Sequence, residues 1–359
     1  MKIYFAPLEG VTTYIFRNAF HAIYGHVDKY FAPFISPAEN CPITPRERKD
    51  IAPENNVGIH LVPQILTCRS EHFIDAAKAL SEMGYSEINL NLGCPSGTVC
   101  AKRKGAGFLQ DKDALLSFLD DIYSYAESSG MKISVKTRLG YQAPEEFYSL
   151  MDIFNIFPIS ELIVHPRIRT DFYKGDTRKE FFSYALEHAK CPLVYNGNIF
   201  TRADYNALRE TFGCDSGAPA MSGQAGAPAM SGQAGVPAMS GKAGVPAMSG
   251  SALDPIMLGR GLVSDPELAG RLKSASADAN GTSAFAAETD YAKLRRFHDT
   301  LYHEYQKVLS PDINVLHKMR ELWTYWQVLF DGKEREIKRL MKAKKYEDYE
   351  DVVHHRIFS

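Results

Sequence analysis

Short apolar runs alternate with segments of helical period through the first three quarters of the chain. Runs rich in β-branched and aromatic side chains fall at residues 3–7, 30–34, 61–66, 87–92, 132–136, 162–165, 193–196 and 256–259; such runs read as buried strands. Between most of them apolar positions recur every three to four residues, at 71–83, 113–125, 145–157, 179–188 and 201–211. Asp111 and Thr201 stand where N-caps belong. No clean helix is expected between the second and third strands. Eight strands in βα alternation over about 270 residues predict an α/β fold, a (β/α)8 TIM barrel. A doubly wound sheet competes, but its G-x-G-x-x-G turn is absent after the first strand.

Two segments depart from this grammar. Residues 216–252 repeat Ser-Gly-x-Ala-Gly-x-Pro-Ala-Met with a period of nine and carry one charge, Lys242. Recurrent proline and dense Gly and Ala leave little to bury, so the segment reads as a flexible, low-complexity insertion. It falls between the seventh helix and the eighth strand, on the face of the barrel away from functional loops. After about residue 275 only helical patterns occur. Leu294, Phe297, Leu301, Tyr305 and Leu309 form one stripe, and Val315, Met319, Leu322, Trp326 and Leu329 another after Pro311. The expected organisation is a barrel over 1–274 and a small helical domain over 275–359, with the Trp and Tyr residues of the latter in its core.

The chain has 359 residues, with 41 Lys and Arg against 43 Asp and Glu. A uniformly basic nucleic-acid binder is excluded; a local basic patch is not. No apolar run reaches the roughly 18 residues of a membrane helix, and Pro7, Glu9 and Gly10 interrupt the first apolar stretch. Six scattered cysteines form no CxxC pair, so neither a metal site nor a disulfide framework is expected. A cytoplasmic location with reduced thiols is the default.

Barrel chemistry sits at the C-terminal ends of strands, and here those ends are polar. Asn196-Gly197-Asn198 and Gly259-Arg260-Gly261 end strands seven and eight. That is where glycine turns and N–H groups commonly receive phosphate. Lys136 interrupts an apolar strand, where a buried ammonium is costly unless paired. It either meets a carboxylate or faces an electron-rich cofactor ring. Gln64 and Asn91 are placed to hydrogen-bond the same ring, or to be satisfied by backbone. Cys94, between Gly93 and Pro95, is placed for exposure in a tight loop, with Lys102-Arg103-Lys104 nearby to adjust its acidity. Cys100 is the lesser candidate.

These residues resemble the dihydrouridine synthase family. The carriers are Ala6-Pro7-Leu8-Glu9-Gly10-Val11-Thr12, Asn89-Leu90-Asn91-Leu92-Gly93-Cys94-Pro95-Ser96, Gly105-Ala106-Gly107, Val135-Lys136-Thr137-Arg138-Leu139-Gly140, Val164-His165 and Met257-Leu258-Gly259-Arg260-Gly261. The resemblance implies an FMN-dependent reductase that converts uridine in tRNA to 5,6-dihydrouridine with NADPH. It implies flavin contacts from Pro7, Leu8, Glu9, Gln64, Lys136, His165, Asn196, Gly197, Asn198, Gly259 and Arg260. Cys94 would be the proton donor and Asn91 would position flavin or uracil. Leu8 replaces the Met common in the family, Cys100 an amide residue, and Pro166 follows His165 where Gly is usual.

An RNA substrate needs positive charge. Residues 333–345 carry seven basic and two acidic side chains, Lys338 and Arg339 among them. With Lys102, Arg103, Lys104, Arg138 and Arg167 they make an expected phosphate-binding rim, although such runs are more often a solvated helix face. The rivals are a small-molecule flavin reductase of the dihydroorotate-dehydrogenase or enoate-reductase kind, and a flavoprotein that binds RNA without catalysis. Removing residues 216–252 is expected to leave RNA turnover nearly intact. The check is the rate of dihydrouridine formation by the deletion protein beside the full chain, with circular dichroism to show that both are folded.

Overall fold

A period of two inside a closed parallel sheet organises the molecule. The computed structural model describes residues 1–213, 253–277 and 289–358; the nonapeptide repeat at 216–252 lies outside them. The order is β1 (Ile3–Phe5), α1 (Tyr14–Ile23), β2 (Lys29–Phe31), α2 (Pro45–Ile51), β3 (Leu61–Val62), β4 (Gln64–Ile65), α3 (Ser70–Glu82), β5 (Glu87–Leu92), α4 (Gly97–Cys100) and α5 (Lys112–Ser129). Then come β6 (Lys132–Gly140), α6 (Glu146–Phe154), β7 (Leu162–Ile168), α7 (Lys179–His188), β8 (Leu193–Tyr195), α8 (Arg202–Thr211), β9 (Ile256–Leu258), α9 (Arg260–Ser264) and α10 (Leu268–Ala277). The helical part holds α11 (Tyr291–Val308), α12 (Asp312–Trp326), α13 (Glu334–Leu340) and α14 (Tyr346–Val352).

The nine strands pair in parallel in the order β3-β2-β1-β9-β8-β7-β6-β5-β4. The two ends of that order are one strand. Pro63 lacks an N–H and interrupts it, so it splits into β3 and β4. On one side Val62 and Gln64 accept from the N–H groups of Ala32 (3.0 Å) and Ile35 (2.7 Å). On the other, Pro63 accepts from Asn89 N–H at 2.9 Å, and Gln64 pairs with Asn89. The sheet therefore closes as the expected eight-stranded TIM barrel.

Three differences from the hydrophobic pattern have local causes. β6 and β7 run beyond 136 and 165, because Arg138 pairs with His165 and Gly140 with Ile168 although the apolar run has ended. α2 escapes the pattern because it buries only Ile51; a capping box between Thr44 and Glu47 and Pro45 at its first turn start it instead. α10 runs through the expected boundary at 274/275, so the change of architecture comes after that helix. Asp111 and Thr201 do cap α5 and α8, accepting from Ala114 and Asp204 N–H.

Alternate residues of each strand face two different cores. Outward residues pack under the helices in one large cluster that continues into the helical part. There Phe297 of α11 meets the rings of Phe16, Phe20 and Tyr24 of and after α1, at 5.4, 6.1 and 5.3 Å between centroids. Inward residues fill the barrel in layers. Phe31, Val62, Ile163, Val194 and Met257 make an apolar middle. Below it, Lys29 Nζ is bound by Glu87 (3.0 Å) and Glu161 (2.8 Å), and Tyr4 donates to Glu161 at 2.6 Å.

Burial alone would lower the Lys29 pKa, but bonds to Glu161 and Glu87 outweigh it and hold the ammonium above its usual range. Its stabilising contribution is therefore full below 10.5 and is lost as pH climbs through the raised value. Lys29→Met strands two carboxylates at the barrel floor. It is expected to cost about 3–5 kcal/mol of stability, read as a lower urea midpoint at neutral pH.

Candidate active site

The upper layer of the lumen is as polar as the middle is apolar. Inward positions of β4 to β7 place Gln64, Asn91, Lys136 and His165 in the upper lumen, Asn196 follows β8, and register sets Asn91 opposite Lys136. Together with the loops above, they wall a pocket of about 370 Å³. Pro7, Leu8, Glu9, Cys94, Gly197, Asn198, Gly259 and Arg260 complete the sequence-selected set on that wall. The thiol, the interior lysine and the two glycine turns thus share one cavity.

A chain of amides fixes the floor beneath Cys94. The backbone N–H groups of Gly93 and Cys94 donate to Asn91 Oδ1 at 3.0 and 2.9 Å. Asn91 Nδ2 donates to Gln64 Oε1 at 2.7 Å, Gln64 Nε2 to Asn89 Oδ1 at 2.7 Å, and Asn89 Nδ2 to Ser134 Oγ at 2.9 Å. Both amides are satisfied chiefly by one another, yet Gln64 and Asn91 each keep one N–H. The loop is pinned from above as well. Ala106 N–H and Cys100 Sγ donate to the Cys94 carbonyl, at 3.1 and 3.5 Å. Gly105, at φ +56°, packs so closely that a Cβ would lie 2.9 Å from that carbonyl and 3.0 Å from Cys94 Cβ. Cys100 is buried and supports this loop.

Burial pushes the Cys94 thiol up from its ordinary value; a backbone hydrogen bond from Ser96 and the charge of Arg138 oppose the rise only in part. Lys102, Arg103 and Lys104 are not among the leading influences on that thiol. Lys102 and Arg103 are exposed, Arg103 pairs with Asp111 at 3.2 Å, and Lys104 reaches Ser36 Oγ at 3.1 Å. The thiol is therefore held protonated at neutral pH.

Lys136 meets no carboxylate. Among the described residues its ammonium has no hydrogen-bond or ion-pair partner, and burial, with the neighbouring charge of Arg138, brings its pKa down to about 7. His165 is pushed well below its ordinary value by burial and by the charges of Arg138, Lys136, Arg167 and Arg260. Arg167 Nη1 lies 3.0 Å from His165 Nε2; since arginine only donates, the imidazole proton is on Nδ1.

Arg138 and Arg167 depart from the expected RNA-facing rim. They are 1% and 0% exposed, because the prolonged β6 and β7 carry them inward. Arg138 Nε donates to Gly93 O at 2.8 Å and Nη1 to Ile168 O at 3.0 Å. Arg167 reaches Asn198 Oδ1 at 3.2 Å, and Arg260 reaches the same oxygen at 3.3 Å. Asn196 Nδ2 is spent on Met257 O at 2.9 Å, tying β8 to β9. Gly261 lies so close to the Ile199 carbonyl that a Cβ would displace it. Lys338 and Arg339 are exposed on α13 and do not line the pocket; Arg339 pairs with Asp351 at 3.3 Å.

Several wall residues escaped the sequence reading. Tyr173 lies over His165, with the guanidinium of Arg260 4.7 Å and that of Arg138 5.4 Å from its ring centroid. Glu321 and Tyr325 reach the pocket from α12. Their i, i+4 spacing, on a face other than the buried stripe of Met319, Leu322 and Trp326, was the signal.

A family model described as dihydrouridine synthase (Dus) matches residues 4–243, more than half of the chain, and ends before β9. A tRNA-dihydrouridine(16) synthase of Vibrio vulnificus (strain CMCP6) is 27% identical over 226 residues, 60% of this chain and 69% of that one. The enzyme of the same name from Pseudomonas syringae pv. tomato (strain ATCC BAA-871 / DC3000) is 28% identical over 218 residues, 59% and 68% of the two chains. A probable tRNA-dihydrouridine synthase of Staphylococcus aureus (strain COL) is 29% identical over 230 residues, 58% and 64%. With that match running through the loop that carries Cys94 and the strand that carries Lys136, the chain belongs to the dihydrouridine synthase family.

Proposed function

We propose that this protein is an FMN-dependent tRNA-dihydrouridine synthase that reduces uridine to 5,6-dihydrouridine with NADPH as the reductant. The observation that carries the reading is the convergence of a protonated thiol, an unpartnered ammonium and two glycine turns on one pocket. The residues present suit a flavin. Lys136 lacks a counter-charge, Arg167 Nε is buried without a partner, and Gln64 and Asn91 each retain a donor. Lys136 and those amides would hold the electron-rich side of the ring, with His165 Nδ1–H beside them. Asn198, Gly259 and Arg260 would hold the phosphate, and Pro7, Leu8 and Glu9 the remaining edge. A small-molecule reductase or a non-catalytic RNA-binding flavoprotein is less well supported, since the relatives are named for tRNA and the thiol is poised for proton transfer.

When bound, FMN reduced by NADPH would supply a hydride to C6 of uracil. Cys94 would give its proton to C5 and regain one from solvent. The amide chain from Ser134 to Asn91 keeps the thiol from drifting, which matters because about 1 Å of misplacement can cost a hundredfold in rate. The target base must leave its stack to enter. The exposed Lys102, Arg103, Lys338 and Arg339 are offered as phosphate contacts. The names of the first relatives make position 16 the uridine to examine first.

Cys94→Ala is expected to keep bound flavin and its reduction by NADPH while losing dihydrouridine formation, by about 10²–10⁴-fold. Stopped-flow absorbance and RNA mass measurement read the two steps separately. In the parent protein, turnover should fall on the alkaline side as the proton donor ionises. The donor works protonated, and burial places its ionisation above 9.0; an activity profile against pH checks this. Gly105→Ala should destabilise the fold by about 1–3 kcal/mol, lower turnover, and speed alkylation of Cys94 by iodoacetamide as the loop opens.

A further inference from the structure

A second cavity, of about 380 Å³, adjoins the first and shares Glu9, Pro33 and Phe34 with it. It lies where the loops after β1 and β2 meet α11 and α12. Ile15, Val308 and Leu309 give it apolar walls.

Its polar groups fall into two sets. One set is engaged in holding the fold. Glu47 accepts from Ser36 N–H (3.0 Å) and Thr44 N–H (2.8 Å), and Asp50 from Tyr14 N–H (2.7 Å) and Arg17 (3.1 Å). Lys318 is held by the Gly10 carbonyl and by Glu321. The other set has no partner outside itself among the described residues. Tyr305 is 2% exposed, and its hydroxyl and Thr13 Oγ1 are both buried without a hydrogen-bond partner. The two hydroxyls face one another, and a loose hydrogen-bonding contact with Thr13 opposes part of the rise that burial imposes on the Tyr305 phenol. Even a bond between the two would leave one donor and several lone pairs unused. Buried hydroxyls are seldom left so unless something else meets them. Arg46 and Lys49 are exposed at the rim and make no ion pair among the described residues.

We infer that this cavity is the subsite for the RNA nucleotide adjoining the uridine in the active-site pocket, an inference that rests on the tRNA reading above. A base taken out of its stack leaves its neighbour with an uncovered face. Phe34, at the seam of the two cavities, offers that face an aromatic ring. The Thr13 and Tyr305 hydroxyls bond the edge of the base, and Arg46 and Lys49 meet the phosphate. One ligand with two rings joined by a phosphodiester accounts for two adjoining cavities, apolar walls, unused hydroxyls and unpaired cations together. A nicotinamide dinucleotide would account for the cations, but it must bring its own ring to the flavin in the first pocket.

The experiment measures tRNA Kd by filter binding, and KM for NADPH, for the full chain and its Tyr305→Phe and Thr13→Val variants. Both substitutions keep the side-chain volume, and Thr13 makes no capping bond whose loss would fray α1. Thermal midpoints and flavin absorbance establish that each variant is folded. Each variant is expected to raise the tRNA Kd about three- to tenfold, the worth of one hydrogen bond. Unmodified tRNA carrying 4-thiouridine should photo-crosslink to a peptide within residues 9–15 or 301–309. Unchanged tRNA affinity in both folded variants overturns the subsite, as does a rise in the NADPH KM in its place. If the affinity and crosslinks behave as expected but the parent protein forms no dihydrouridine, the subsite stands and the proposed reaction falls.

Discussion

An ammonium enclosed without a counter-charge is the constraint around which the barrel is arranged. Lys136 sits on a strand whose outward residues, Ile133 and Val135, are wholly committed to the core under the helices. A one-residue slip would put those apolar side chains into the lumen and the lysine into the helix layer. Register is therefore strongly determined at β5 and β6, and Asn91 must stand beside Lys136. Desolvation of the lysine is not offset by the charged cluster at the floor, whose carboxylates are bound to Lys29 beyond an apolar layer; it shows instead as the lowered pKa of Lys136. The two polar ends remain apart, one closed by Glu87 and Glu161 and the other open to a ligand.

Rigidity of the thiol follows from that arrangement. Each amide from Asn89 to Asn91 uses its neighbour as a partner, so none can turn without leaving a buried polar group unmet. The end of this chain is the pair of backbone N–H groups at Gly93 and Cys94. Gly105 closes the same loop from the opposite side, in a left-handed conformation that other residues adopt only with strain. Two unrelated devices, one inside the barrel and one above it, thus hold a single side chain.

Much of this was legible from spacing alone. Polar residues at the ends of otherwise apolar strands marked the wall of the pocket, because period-two alternation and a closed barrel leave them nowhere else to go. What was not legible has a common cause. Arg138 and Arg167 look like surface cations, and their burial depends on strand pairing that outlasts the apolar pattern. The acidity of Cys94 was expected to answer to the nearest cations in sequence, whereas burial governs it, opposed first by the backbone bond from Ser96. Tyr325 and Glu321 lie almost two hundred residues beyond Lys136 in the chain, and only the docking of α12 brings them to the mouth. Aromatic content in the helical part was read as core, which holds for Trp323 and Trp326 but not for Tyr325.

The helical part is more than a neighbour of the barrel. Lys318 of α12 grips the Gly10 carbonyl in the loop after β1, and Glu321 holds Lys318 in turn. That loop carries Glu9, the one ionisable residue common to both cavities. Burial raises the Glu9 pKa, while Arg46 and Lys318 pull it back. The charge of this carboxylate is thus set jointly by a barrel loop and by α12. Any movement of α12 relative to the barrel would shift Lys318, Glu321 and Tyr325 together, altering the mouth of one cavity and the wall of the other. Phe297, locked among Phe16, Phe20 and Tyr24, opposes that movement. A net charge of -2 on the whole chain is therefore a poor guide to the site. The fold gathers Lys136, Arg138 and Arg260 around one cavity and Arg46, Lys49 and Lys318 around the other.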